Sequence, residues 1–390
     1  MEEYDRIEIQ HICSNICSGG TPKSTVEEYY GGTIPWLNTK EINFNRIYKT
    51  EKTITDEGLN NSSAQWIPAK SVIVAMYGAT AGKTAITQIP LTTNQACCNL
   101  TIDSTKADYR FVFYALCNDY AYLASLANGG AQQNLNAQQI REFEIPYPSI
   151  EEQECIADIL SSLDDKIELN RWINDNLEQQ AQALFNYYFI DTPELLGEFS
   201  VGSLADTANY VNGLAMQKYR PINGEKGLPV LKIKELGQGR IDSSSDFCSN
   251  EIDSYYKVYD GDVIFSWSGT LMVKIWCGGK CGLNQHLFKV SSKTTPKWFY
   301  YFWTKHHLDN FIRIAKDKAV TMGHIKRGEL EKAEVLFPNN SVMKKLDTLM
   351  APFLDQIIEK ECEIRKLALL RDTLLPKLIS GELVINDINN

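Results

Sequence analysis

From Glu151 to Phe189 the chain has no proline or glycine, and apolar side chains return every three or four residues, at Ile156, Leu160, Leu163, Ile167, Leu177, Ala181 and Leu184. That spacing predicts one long helix with a heptad-like stripe. Ser149 with Glu152 three residues on gives it a capping box at its start. A second stripe runs from Val342 to Ile379 through Leu346, Met350, Phe353, Ile357, Ile364, Leu367, Leu374 and Leu378. Polar residues interrupt both, Asn170 and Asn174 in the first, Lys360 and Arg371 in the second. A long helix with one narrow apolar face needs a partner face. The nearest partner is the other helix, so an antiparallel coiled-coil pair is expected, with these apolar residues as its core.

The segments preceding the two helices resemble each other. Pro35-Trp36-Leu37-Asn38-Thr39-Lys40-Glu41-Ile42 returns 194 positions later as Pro229-Val230-Leu231-Lys232-Ile233-Lys234-Glu235-Leu236. Val72-Ile73-Val74 with Gly78 and Lys83 returns at a shift of 191 as Val263-Ile264-Phe265 with Gly269 and Lys274. Asn94-Gln95 and Asn284-Gln285, like Glu144 with Pro148 and Glu334 with Pro338, are 190 apart. Matches that keep their order while the shift shrinks slowly are what a duplicated unit with small deletions produces. Each copy reads as short strands and turns, then a helix (Tyr109 to Ala127, Pro296 to Ala315), then a proline-bounded strand. The expected fold is α+β: two mixed α/β heads, related by a pseudo-twofold axis and joined by the two helices. The expected divisions are 1–148 and 190–340 for the heads, 149–189 and 341–380 for the helices, and a tail at 381–390.

Composition restricts the possible functions. The chain of 390 residues has a net charge of −10, which argues against uniform binding to nucleic acid. The charge is uneven: residues 149–189 hold nine acidic side chains against two basic, whereas outside 1–189 the two signs nearly balance, 25 against 26. No apolar run reaches the roughly 18 residues of a membrane span, and the opening MEEYDRIEIQ is unlike a secretory signal. A cytoplasmic protein with reduced thiols is the expectation, and membrane partners are not expected.

The order of head, helix, head, helix resembles the specificity subunits of type I restriction-modification systems over essentially the whole chain. The carrying residues are Gly19 to Ser24 (GGTPKS), the Pro35 segment, the strand and glycine turn before Lys83, Asn94-Gln95, Asn134-Leu135-Asn136, and the exit at Pro148 into Glu151-Glu152-Gln153. The resemblance implies two target recognition domains, each reading half of a split site in double-stranded DNA, with helical spacers that dock two methyltransferase subunits. It further implies restriction subunits that translocate DNA. S-adenosylmethionine, ATP and magnesium would then belong to those partners, and no cofactor or metal is expected on this chain.

Candidate DNA contacts follow from residue chemistry. Lys23, Lys40, Lys83 with Thr84, Lys232, Lys234 and Lys274 are candidates for phosphate, since lysines near glycine-rich turns approach a backbone closely. Gln132, Gln133 and Asn134 in the first head, against Thr321, His324 and Lys326 in the second, are candidates for bases. Amides can bond adenine edges, and positions that differ between heads are where specificities can diverge. The repeated Asn-Gln pair fits a structural turn better. Gly78 to Thr84 fails as a nucleotide-binding loop because Tyr77 stands where its first glycine belongs. Cys13 with Cys17, and Cys277 with Cys281, lack a second pair at zinc-site spacing. No Asn-Pro-Pro-aromatic or Asp-Pro-Pro-aromatic tetrapeptide of amino-methylating enzymes is present, and no catalytic residue is nominated. The alternatives are a self-contained, divergent DNA methyltransferase and a repeat scaffold whose heads bind protein.

Overall fold

The run Val72-Ile73-Val74-Ala75 shows no alternation of apolar with polar residues because both of its faces are covered. In the computed structural model, which describes residues 4–127, 134–222, 224–317 and 323–383, Val72 and Val74 belong to one core and Ile73 and Ala75 to another. Successive strand side chains point to opposite faces, so a strand between two cores is apolar throughout.

The chain divides into two units, Met1–Asp165 with Ala368–Asn390, and Lys166–Leu367. In the first, Val72–Ala75 is the middle of a five-stranded sheet in the order Cys13–Ser18, Cys97–Ile102, Val72–Ala75, Thr84–Thr87, Asn45–Ile47. The pairs are antiparallel except the last, which is parallel. A three-stranded sheet of Lys52–Ile54, Tyr30–Leu37 and Thr92–Thr93 lies in the same head, and its Leu37 joins the core of Ile73 and Ala75. The helix Tyr109–Asn118 brings Phe111, Val112, Ala115 and Leu116 to the core of Val72 and Val74. The sequence pattern placed one helix over Tyr109 to Ala127, but it breaks at Asp119 and resumes as Tyr120–Ser125. The Asp119 carboxylate takes Arg6 at 3.3 Å and the Asn118 amide at 2.8 Å, and its backbone leaves the helical region at φ −89°, ψ 12°.

The second unit repeats this plan. Asn209–Asn212, Leu287–Ser291, Asp262–Ser266 and Met272–Trp276 form one antiparallel sheet. Phe247–Cys248, Leu228–Leu231, Cys281–Leu283 and Lys257–Val258 form the other. Val263 and Phe265 again face one core and Ile264 another. Parallel pairing of Trp36 with Thr92 and Leu37 with Thr93 is matched by Val230 with Gly282 and Leu231 with Leu283. The helix Lys297–Asp317 adds a large aromatic core, in which Phe185 stacks on Phe189 at 5.1 Å and on Phe302 at 5.6 Å.

Each unit is completed by a stretch of both long helices, Ile150–Asn186 and Asn340–Ile379. The first starts at the expected capping box: the Glu152 amide donates to Ser149 Oγ (3.3 Å), and the Ser149 amide donates to Glu152 Oε2 (3.2 Å). The second is capped by Asn339, whose Oδ1 accepts from the amides of Ser341 and Val342. Within the first unit Ile156 and Leu160 share a core with Leu374, Leu378 and Ile379, and Asp164 bonds Arg371 at 2.6 Å. Within the second, Asn174 donates to Glu361 at 2.8 Å, while Ala181 and Phe185 share a core with Leu346, Met350 and Leu354. Rising numbers on one helix meet falling numbers on the other in both units, so the pair is antiparallel in each.

Of the expected seam, Ile156, Leu160, Ile167, Leu346, Met350 and Ile364 are buried, and Leu163, Leu177, Leu184, Phe353, Ile357, Leu367 and Leu374 are half-buried. Phe185 and Leu354, one position beyond Leu184 and Phe353, are the fully buried residues there. An α-helix drifts against a strict seven-residue repeat, and the aromatic core of the second head captures the shifted position. Asn170 and Asn174 lie inside the seam, and among the described residues neither amide atom of Asn170 makes a well-formed hydrogen bond. Among the described residues no helix is long and apolar enough to cross a membrane.

Candidate nucleic-acid interface

Both heads present the same hairpin. In the first, Val72–Ala75 turns through Gly78–Thr80 into Thr84–Thr87; in the second, Asp262–Ser266 turns into Met272–Trp276. Gly78 and Gly269 open the two tips with φ of +70° and +67°, a left-handed backbone that favours glycine. The segment following each head's helix then returns to this tip. Asn134 forms a bridge to Tyr77 and His324 forms one to Ser268. The next residues lock the return, Leu135 N to Met76 O at 2.8 Å and Ile325 N to Trp267 O at 3.1 Å, with Leu135 and Ile325 buried.

The ladder register corrects one equivalence. Ile73 faces Ala85 and Ile264 faces Lys274, so Lys274 corresponds to Ala85, and Met272 rather than Lys274 stands where Lys83 does. The second tip is shorter, a deletion that a linear alignment of the two lysines does not reveal. Lys83 leaves the first hairpin to donate to Asn43 Oδ1 at 2.8 Å and lies 5.9 Å from the Phe44 ring. Phe44 itself has φ +56°, is part-exposed, and meets Tyr120 edge to face at 5.0 Å. Lys274 donates to Gly237 O at 2.8 Å.

Thr84 is corrected outright as a DNA contact. It is fully buried, with its hydroxyl 3.2 Å from Cys117 Sγ, because strand alternation turns it toward the helix Tyr109–Asn118. The other lysines have local carboxylates: Lys40 pairs with Glu51, Lys232 with Asp246, and Lys234 with Asp242 at 3.1 Å. Hydrogen bonds from Ser244 and then Lys234 hold the Asp242 carboxyl down to about 2. Lys23 and Lys326 are exposed, and neither ammonium has an ion-pair partner among the described residues. Asn134 and His324 are exposed at the tips, whereas Gln132, Gln133 and Thr321 lie outside the described residues.

The repeated Asn-Gln pair is part of the frame. Asn94 N donates to Leu37 O (3.0 Å) and its Oδ1 accepts from Ala96 N (3.2 Å). Asn284 N donates to Leu231 O (3.1 Å) and its Oδ1 accepts from His286 N (3.2 Å). Sequence reading passed over Phe44 and Trp267. Trp267 donates to Asn212 Oδ1 at 3.1 Å and sits beside His286 and His324, with centroids 6.1 and 6.3 Å away.

Other chemistries find little support here. Gly78–Thr80 leads into a strand, whereas a phosphate-cradling loop leads into a helix N-terminus. Burial pushes the thiols of Cys13, Cys98 and Cys277 up to about 12, which keeps them protonated and poor as nucleophiles or ligands. His306 and His307 are pushed down by burial, and His307 stacks on Trp303 at 5.8 Å. Among the described residues no group of three or more His, Cys, Asp or Glu side chains is placed to hold a metal ion.

The model of the type I restriction modification DNA specificity domain matches residues 1–179 and 197–370. The chain is 29% identical over 414 aligned positions to the type I restriction enzyme MjaIX specificity subunit of Methanocaldococcus jannaschii, covering 99% of this chain and 95% of that one. It is 27% identical over 179 positions to the EcoR124I/EcoR124II specificity subunit of Escherichia coli, covering 44% and 43% of the two chains. Among solved structures, the S subunit of a type I restriction-modification system from M. genitalium covers 96% of each chain with a TM-score of 0.58 at 16% identity, a likeness of fold.

Proposed function

The chain belongs to the type I restriction-modification DNA specificity family, and from that premise we propose that each head reads one half of a bipartite DNA site while the paired helices set the gap and dock methyltransferase subunits. The observation that carries this reading is the repetition of one hairpin frame with different exposed side chains, Asn134 on one tip and His324 on the other. Two copies of one reader with one specificity would need no such difference. The helix Ile150–Asn186 has 37 residues, a length of about 55 Å at 1.5 Å per residue. At about 3.4 Å per base pair that matches a gap of roughly 16 base pairs. Methylation and DNA cleavage fall to partner subunits, which bring S-adenosylmethionine, ATP and magnesium.

The test is an exchange of residues 1–148 for the corresponding head of another family member, followed by sequencing of the sites the reconstituted complex methylates. A change confined to one half of the site supports the proposal. A change in both halves, or in neither, overturns it.

A further inference from the structure

Resting on the reading of the heads as DNA readers, we infer that the bridged residue of each hairpin tip, Asn134 in the first head and His324 in the second, is a specificity-determining side chain that bonds a base edge.

Three observations lead there. The backbone at this point is common to both heads: a left-handed glycine (Gly78, Gly269), a bridge from the returning segment to the residue before it (Tyr77, Ser268), and an amide-to-carbonyl bond one residue further on. The residue after each bridge is a buried aliphatic one, Leu135 or Ile325, so the bridge position is anchored in its head's core. Within this shared frame the bridge residues are exposed and chemically unlike, an amide against an imidazole. The Asn134 side chain makes no hydrogen bond among the described residues, although Asn136, two positions on, caps a helix through its Oδ1. Asn134 therefore keeps both its donor and its acceptor.

A reader must hold its side chain still before it meets the base, because a loose one loses rotamer entropy on binding. A bridge to a hairpin fixes the backbone from which that side chain projects. An asparagine amide matches the paired donor and acceptor that adenine shows in the major groove. An imidazole N–H matches an acceptor such as guanine N7, and the Trp267 ring 6.3 Å from His324 limits where it can swing. The asymmetry extends beneath the tips: Lys83 stands beside the first, whereas the matching position of the second holds Met272. The first tip therefore carries a lysine at a position where the second carries a methionine.

The experiment uses the chain reconstituted with its methyltransferase subunits and a duplex library randomised across the recognised site, with bound sequences counted by deep sequencing. Asn134→Ala is expected to lower the preference for one base at one position by roughly tenfold to a hundredfold, the scale of a lost bidentate contact. His324→Ala is expected to do the same in the other half of the site. Lys83→Ala is the control, lowering recovery of all sequences alike. Unchanged base preferences in Asn134→Ala and His324→Ala, with the wild-type complex still selecting a bipartite site, would overturn this inference and leave the reading of the heads standing. No sequence selection by the wild-type complex would overturn that reading instead. Both residues are exposed, so unchanged thermal melting of the variants is expected and separates loss of reading from loss of fold.

Discussion

Arg371→Met should loosen the first unit where its two long helices meet. Arg371 donates to Asp164 at 2.6 Å, and Asp164 also accepts the Tyr114 hydroxyl at 2.6 Å. The side chains of Arg371 and Asp164 are 27% and 14% exposed, so the pair is mostly desolvated. Removing one partner of a buried pair typically costs about 3–5 kcal/mol; the remaining exposure of Arg371 brings the expectation to about 2–3 kcal/mol. Hydrogen exchange measured on peptides covering Leu374–Ile379 reports this locally. Protection there should fall by roughly 30- to 150-fold. The triple variant Tyr114→Phe/Asp164→Leu/Arg371→Met, which leaves no buried charge orphaned and only the exposed Asp372 carboxylate without its partner, should recover to within about 1 kcal/mol of the parent. Unchanged protection in Arg371→Met, or a triple variant no better than the single, would refute the role assigned to this pair.

Asn170→Leu should stabilise the second unit by about 1 kcal/mol, since a buried amide that makes no well-formed hydrogen bond among the described residues is replaced by an apolar side chain; a lower urea midpoint would contradict this. Lys83→Ala should reduce DNA affinity without changing sequence preference and lower the slope of log affinity against log salt by about one, which a salt titration of binding checks. Burial alone would raise Glu178, but hydrogen bonds from Lys305 and Tyr301 leave it below its ordinary value of 4.5. A depressed carboxylate adds stability above its unfolded value, and that stability is lost as pH falls through the folded one. Acid unfolding of the second unit should therefore begin below pH 4.5 and be less pH-dependent in Glu178→Gln.

The long helices were legible because their signal is periodic and extends over many turns. Ser149 with Glu152 marked the start of the first to within a residue. The duplication was legible because Pro35, Leu37, Lys40 and Glu41 recur in order, though their equivalents in space depend on strand register that a linear match cannot see. A linear match therefore aligns Lys83 with Lys274, and Thr84, polar and next to a lysine, reads as surface. Phe44 gave no signal, since a left-handed backbone at a phenylalanine cannot be read from its residue type. The break falls at Asp119, whose carboxylate meets Arg6, a tertiary partner more than a hundred positions away. Neighbouring carboxylates such as Glu51 and Asp246 meet Lys40 and Lys232 only once the turns between them close.

The most direct measurement is a footprint of the reconstituted complex on DNA carrying its methylated site, taken at low and moderate salt. Two short protected patches around an unread gap of fixed length are expected. One continuous patch, or protection indifferent to sequence at both salt concentrations, would contradict the division of reading between two heads.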